Sequence, residues 1–220
     1  MSSNPHVCVI LSGCGFLDGA EIHEAVISLL ALSRAGATYQ CAAPDKDQMH
    51  VVNHLAGAPS EGESRNVLIE SARIARGNII DLATVNAADY DAVFMPGGFG
   101  AAKNLSNLAV KGPEGSADPQ LVRVLGDFHS AGKPIGAVCI SPAVLVMALG
   151  KGTVTIGNDE GTAGAIRALG GAHENCGVTE LHVDIENKIA SAPAYMYDAN
   201  IKDVAQGIER AVSATLELCG

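Results

Sequence analysis

Apolar and polar positions fall into a repeating order along the chain. Short β-branched runs end at glycine or proline, and longer segments with 3.6-residue periodicity follow them. HVCVIL at 6–11 is such a run and stops at Ser12-Gly13, so it predicts a buried first strand. A glycine-rich turn occupies 12–19. Residues 20–35 read as a helix with Ile22, Val26, Leu29 and Leu30 on its buried face, Asp18 as its cap and Gly36 at its end. Residues 37–43 make a second strand, stopped by Pro44-Asp45. A β-α-β opening of this kind starts a parallel sheet with a right-handed crossover.

Residues 46–76 interrupt that order. A small strand or hairpin at 49–55, a polar loop at 57–63 and a helix at 66–76 read as an insertion over one edge of the sheet, followed by a strand at 79–82. YDAVFM at 90–95 then predicts a buried strand broken by Pro96-Gly97-Gly98, with a helix over 101–108. Asp118-Pro119 is an N-cap and first-turn pair for a helix over 120–131. KPIGAVCISPAVLVMAL at 133–149 runs from an apolar strand through Cys139 directly into a helix. A strand at 153–156, a helix at 160–169, a hairpin turning at Glu186-Asn187 and a helix from an Asp198 cap to 218 complete the chain. The pattern predicts one domain over residues 1–220: an α/β three-layer sandwich on a mostly parallel sheet.

The chain has 220 residues, 48% of them hydrophobic, enough for a real core. A net charge of −10 without a basic block argues against nucleic acid or an anionic membrane surface as partner. Six cysteines are scattered without a CxxC pair, which points to free thiols rather than a disulfide scaffold. No apolar run approaches the ~18–20 residues of a membrane span, and MSSNPH does not read as a signal peptide. The expectation is a cytoplasmic protein. His50, His54, His129 and His182 have no neighbours at metal-ligand spacing, so no metal is inferred.

Ligands of a parallel sheet gather at the carboxyl ends of its strands. Three loops leave such ends. The first, GCGFLDG at 13–19, has a G-x-G-x-x-x-G spacing close to a dinucleotide fingerprint, but Asp18 stands where a pyrophosphate would sit. The second, PGGFGA at 96–101, lets backbone approach a ligand closely. The third is Cys139 at its strand-to-helix corner, where helix amides and the positive dipole end favour a thiolate. This is the geometry of a nucleophile elbow; a buried structural cysteine fits the same run. The Gly98 and Ile140 amides are candidate oxyanion donors. Glu24, among Ile22, Ala25 and Val26, is a candidate buried carboxyl able to share a proton with the thiol, and Glu21 lies one turn before it. His173 follows Gly170-Gly171-Ala172 and is a candidate partner of the cysteine; a solvated loop histidine is the alternative. His23 points away from Glu24 and reads as exposed or as a supporting group.

SGCGFLDGAEIHEAV, APDK, RNVLIESARIARG, PGGFGAAKNLS, the CISPA elbow and ASAPAYM closely resemble the ElbB family, isoprenoid biosynthesis glyoxalases also called enhancing lycopene biosynthesis protein 2. That family lies in the PfpI-type, class I glutamine amidotransferase-like superfamily, which implies a flavodoxin-like fold. The resemblance covers nearly the whole chain. It implies Cys139 as nucleophile, Glu24 as its hydrogen-bonded carboxyl, Gly98 and Ile140 as oxyanion hole and His173 as an approximate third member. Gly15, Glu21 and Gly97 become substrate-binding candidates.

The implied activity is a glyoxalase without cofactor, acting on a small reactive dicarbonyl and linked to isoprenoid biosynthesis; a homodimer is implied too. A glutamine amidotransferase-type hydrolase would need a late histidine and carboxylate two apart, a spacing His182 and Asp184 have. A redox-sensing or interaction protein using Cys139 without turnover is the other alternative.

Overall fold

A computed structural model describes residues 4–220. In the first half, β1 (His6–Ile10) leads to α1 (Ile22–Arg34) and β2 (Thr38–Ala43). A small hairpin, β3 (Val52–Asn53) with β4 (Ala58–Pro59), precedes α2 (Val67–Ile74) and β5 (Ile79–Asp81). The second half begins with β6 (Ala92–Met95), α3 (Phe99–Lys103), α4 (Leu108–Lys111) and α5 (Pro119–Ser130). It continues through β7 (Ile135–Val138), α6 (Ser141–Leu149), β8 (Thr153–Val154), α7 (Glu160–Ala168) and β9 (Ala172–His173). It closes with β10 (His182–Asp184), β11 (Ile189–Ala192) and α8 (Ile201–Glu217).

The main sheet has seven strands in the order β10-β11-β7-β6-β1-β2-β5, every pairing parallel except β10 with β11. This is the expected α/β sandwich. Strand residues alternate between two apolar layers: Cys8 and Ile10 face one, Val7, Val9 and Leu11 the other. From β1 the chain builds outward through β2 and β5, then returns to β1's other side with β6. That reversal opens a crevice at the carboxyl ends of β1, β6 and β7.

Several local expectations shift. In α1 the buried residues are Glu24, Ala25, Ser28, Leu29, Ala31 and Leu32, while Ile22, Val26 and Leu30 are exposed. The helix is apolar on two sides, and its small residues let it lie close to the sheet. Glu21, not Asp18, caps it, accepting from the Glu24 amide. Asp18 instead accepts from the Val52 amide at 2.7 Å. The segment expected as one helix at 101–108 is split: Ser106 bridges to Ala117 and bonds back to the Ala101 carbonyl, ending α3 before α4 begins. Asn200 rather than Asp198 caps α8. Asp184 pairs with Ile189, so the last hairpin turns through four residues, with the Asp184 carboxylate accepting from Asn187.

Candidate active site

Cys139 is the first residue beyond β7. Its amide donates to the Ala192 carbonyl at 3.0 Å, which carries the strand pairing one residue further. Its φ of +62° places a non-glycine residue in the left-handed region, a strain of order 1–3 kcal/mol that persists only where surroundings impose it. What imposes it is visible: Pro142 opens α6, and the Ser141 hydroxyl donates to the Pro96 carbonyl at 2.7 Å, clamping the elbow to the neighbouring loop.

That neighbouring loop seats between the thiol and a carboxyl. A methyl group at Gly97 would collide with Cys139 Cβ and lie 2.9 Å from its sulfur and 2.8 Å from Glu24 Oε2. Gly98, with φ of +97°, allows none either: its methyl would meet the Glu21 amide and the Gly19 carbonyl. Both glycines are therefore required by close approach.

Glu24 is completely buried. Its Oε2 accepts from the Gly97 amide at 2.9 Å and its Oε1 from the Tyr195 amide at 3.1 Å, and its carboxyl hydrogen-bonds the Cys139 side chain. Burial, then the charge of Glu21, raises its pKa to about 7. The same burial and the Glu24 charge hold the Cys139 thiol well above its ordinary value, while the Gly98 and Ile140 amides pull the other way. The expectation that the helix end wins and leaves a thiolate is thus reversed in the resting site. At neutral pH the thiol keeps its proton, beside a carboxyl that gains or loses one near pH 7.

In front of the sulfur lies a cavity of about 400 Å³, walled in part by Phe16, Glu21, Phe99, Ile140, Asp159 and Tyr195. Cys139, Glu24, Gly97, Gly98, Ile140 and Glu21 thus come together. Gly15 does not reach the wall: it packs against His54 and Asp18. His173 is also elsewhere. It lies in the small β8–β9 sheet, its Nε2 accepts from the Ile156 amide at 3.2 Å, and burial lowers its pKa so that the ring is neutral. It does not line the cavity. His182 and Asp184 lie on the edge strand β10; Asp184 is level with Ile135, at the opposite end of β7 from Cys139, and accepts from the Thr153 amide. That pair does not assemble with the cysteine.

Tyr195 was not legible as a site residue. Its amide reaches Glu24 because Ala194 adopts a φ of +45°, and its hydroxyl meets His23 Nδ1 at 2.9 Å. The ASAPAYM motif was the only signal. Phe16, Phe99, Asp159 and Thr162 arrive from loops and a helix end whose meeting depends on the fold.

A family model described as DJ-1/PfpI family matches residues 9–156, from the end of β1 through the elbow and α6. The chain belongs to the DJ-1/PfpI family. It is 51% identical to the human "Glutamine amidotransferase-like class 1 domain-containing protein 3, mitochondrial" over 97% of this chain and 83% of that protein. It is 35% identical to the zebrafish (Danio rerio) "ES1 protein, mitochondrial" over 90% of this chain and 79% of that one. A crystal structure of an isoprenoid biosynthesis protein with amidotransferase-like domain from Ehrlichia chaffeensis superposes with a TM-score of 0.93 at 41% identity, covering 98% and 100% of the two chains. A glyoxalase III from Candida albicans shares the fold at 16% identity and a TM-score of 0.63, over 96% and 97% of the chains. These relatives overturn the cytoplasmic expectation, since the human and zebrafish proteins are both named mitochondrial. Charge and free thiols describe a chain's chemistry and carry no cellular address.

Proposed function

We propose that the chain is a glyoxalase of the ElbB branch that works without a cofactor, converting glyoxal to glycolate or methylglyoxal to lactate. The observation that supports this is the buried Glu24 carboxyl hydrogen-bonded to a Cys139 side chain at a strained elbow, with two amides on the sulfur. As Glu24 takes the thiol proton, the sulfur adds to the aldehyde carbon. The new oxyanion is held by the Gly98 and Ile140 amides and then protonated, giving a hemithioacetal. Glu24 removes the remaining hydrogen from that carbon, and the electron pair moves toward the adjacent carbonyl to form an enediol. Return of the proton to the second carbon leaves a thioester, whose hydrolysis by water releases the hydroxy acid and the thiol. The aldehyde carbon is oxidised, its neighbour is reduced, and one water is consumed.

A carboxyl with a pKa near 7 suits this sequence because it both accepts and returns a proton close to neutral pH. His173 receives no role, since its ring is engaged outside the cavity. By likeness to the human and zebrafish proteins, the reading is of a mitochondrial enzyme. The test is glycolate and lactate formation without glutathione by the native protein, Cys139→Ala and Glu24→Gln. Turnover by the native protein alone supports the reading; equal rates in all three overturn it.

A further inference from the structure

The cavity in front of Cys139 does not end at Tyr195. A second lobe of about 450 Å³ adjoins it, sharing Phe16, Glu21 and Tyr195 as common wall and adding His23, Tyr197 and Asp198. Each lobe alone is within the roughly 300–1,000 Å³ that holds a drug-sized ligand, and a three-carbon dicarbonyl fills a small part of one. The walls carry three carboxyl side chains, Glu21, Asp159 and Asp198, and no lysine or arginine among the described residues. Lys103 stands 5.5 Å from the centre of the Phe99 ring, but its ammonium donates to the Leu17 carbonyl at 2.7 Å and lines neither lobe. Asp159 also faces the positive end of α7, where it accepts from the Thr162 amide, so that helix end offers little to an anion. The α6 end is directed at the sulfur through Ile140.

Aromatic rings and carboxylates together recognise cations, through the negative ring face and through direct charge. We propose that the two lobes select a carbonyl compound whose unreacting end carries an ammonium or other cationic group, and disfavour carboxylate- and phosphate-bearing carbonyls. The reactive carbonyl sits at Cys139. The cationic end lies over Phe16, Tyr195 and Tyr197, beside Glu21 and Asp198. The chain's net charge of −10 draws the same class of ligand from solution. This deepens the glyoxalase reading and rests on it for the word substrate, but charge selection at Cys139 stands or falls by itself.

The experiment therefore needs no turnover. Matched methanethiosulfonates ending in trimethylammonium or sulfonate are reacted with the full chain. In each, the cysteine sulfur forms a mixed disulfide, methanesulfinate leaves and the thiol proton goes to solvent. Peptide mapping by mass spectrometry follows Cys139 apart from the other five cysteines, and each rate is divided by that reagent's rate with a free small thiol. The expected result is Cys139 modification roughly tenfold faster by the cationic reagent, with the preference shrinking as salt rises. Asp159→Asn keeps a good helix cap, and Asp198→Asn touches no cap; together they should reduce the preference several-fold. Equal rates, an anionic preference, or a cationic preference that ignores the double variant and salt would overturn the proposal. Loss of glyoxalase turnover with charge selection intact would sink the activity and leave the selection standing.

Discussion

Two glycine-bearing loops leave the carboxyl ends of parallel strands here; the first gives the cavity only the Phe16 side chain, and the second turns a backbone amide toward the Cys139 sulfur. After β1, the loop at 13–19 has the spacing of a nucleotide fingerprint, yet most of its amides are engaged. Gly13 donates to the Ser71 hydroxyl at 2.8 Å, Leu17 to His54 Nε2 at 3.3 Å, Gly15 to the Ala20 carbonyl, and Asp18 and Gly19 to the Gly15 carbonyl. Asn104 bonds the Ser12 and Asp18 carbonyls from the other side. After β6 and β7, the Gly98 and Ile140 amides point at the Cys139 sulfur, and the cavity lies open before them. The inserted hairpin and α2 make the difference: His54, Val52 and Ser71 close the first loop from above. Glycines permit a close approach, and the rest of the fold decides whether a ligand or the protein makes it.

The largest effect expected from breaking this contrast is at the open loop. Cys139→Ala should lower glyoxal turnover by roughly 10³-fold or more, read as glycolate formed per minute, while the melting temperature stays close to native. Glu24→Gln should cost about 10²–10⁴-fold in kcat, and it carries a pH signature. The Glu24 proton is bound more tightly in the folded chain, where its pKa is about 7, than in an unfolded chain with the ordinary glutamate value of 4.5. Its contribution is fully present below 4.5 and is lost as pH rises through 7, on the order of 3 kcal/mol. Unfolding titrations from pH 4.5 to 7.5 should show the native protein losing stability relative to Glu24→Gln across that window. A constant difference between the two would refute the buried, protonated carboxyl.

Gly97→Ala comes next, because its methyl would enter the gap between thiol and carboxyl. It should cost ~1–3 kcal/mol by denaturant unfolding and lower kcat as well. Ser71→Ala tests the closed loop and should give the smallest effect on chemistry. Removing the partner of a buried amide should cost about 1–3 kcal/mol, with kcat within roughly twofold of native. A large kcat loss in Ser71→Ala would erase the distinction between the loops.

Legibility followed the range of the interactions. The apolar run into Cys139 and the Asp118-Pro119 start of α5 depend on neighbours a few residues apart, and the structure places them as expected. The buried face of α1 was misread because periodicity marks an apolar stripe without saying which of two stripes meets the sheet; Ile22, Val26 and Leu30 lost to Ala25, Ser28 and Leu32. The histidines misled for a related reason. His173 looked free in its loop, but β8 pairs with β9 and the Ile156 amide takes its ring nitrogen.

By itself the sequence determined the alternation of strand and helix, the strand-to-helix corner at Cys139, and the glycines at 97 and 98 that permit a close backbone approach. These are local consequences of sterics and hydrophobic period. Only the tertiary structure decided that Glu24 lies beside that sulfur with its pKa near 7, that Tyr195 caps the carboxyl from 171 residues away, and that the first glycine loop is closed. The physical reason is desolvation: a carboxyl and a thiol acquire shared chemistry only when packing from distant segments removes their water, and no local pattern encodes which segments those are.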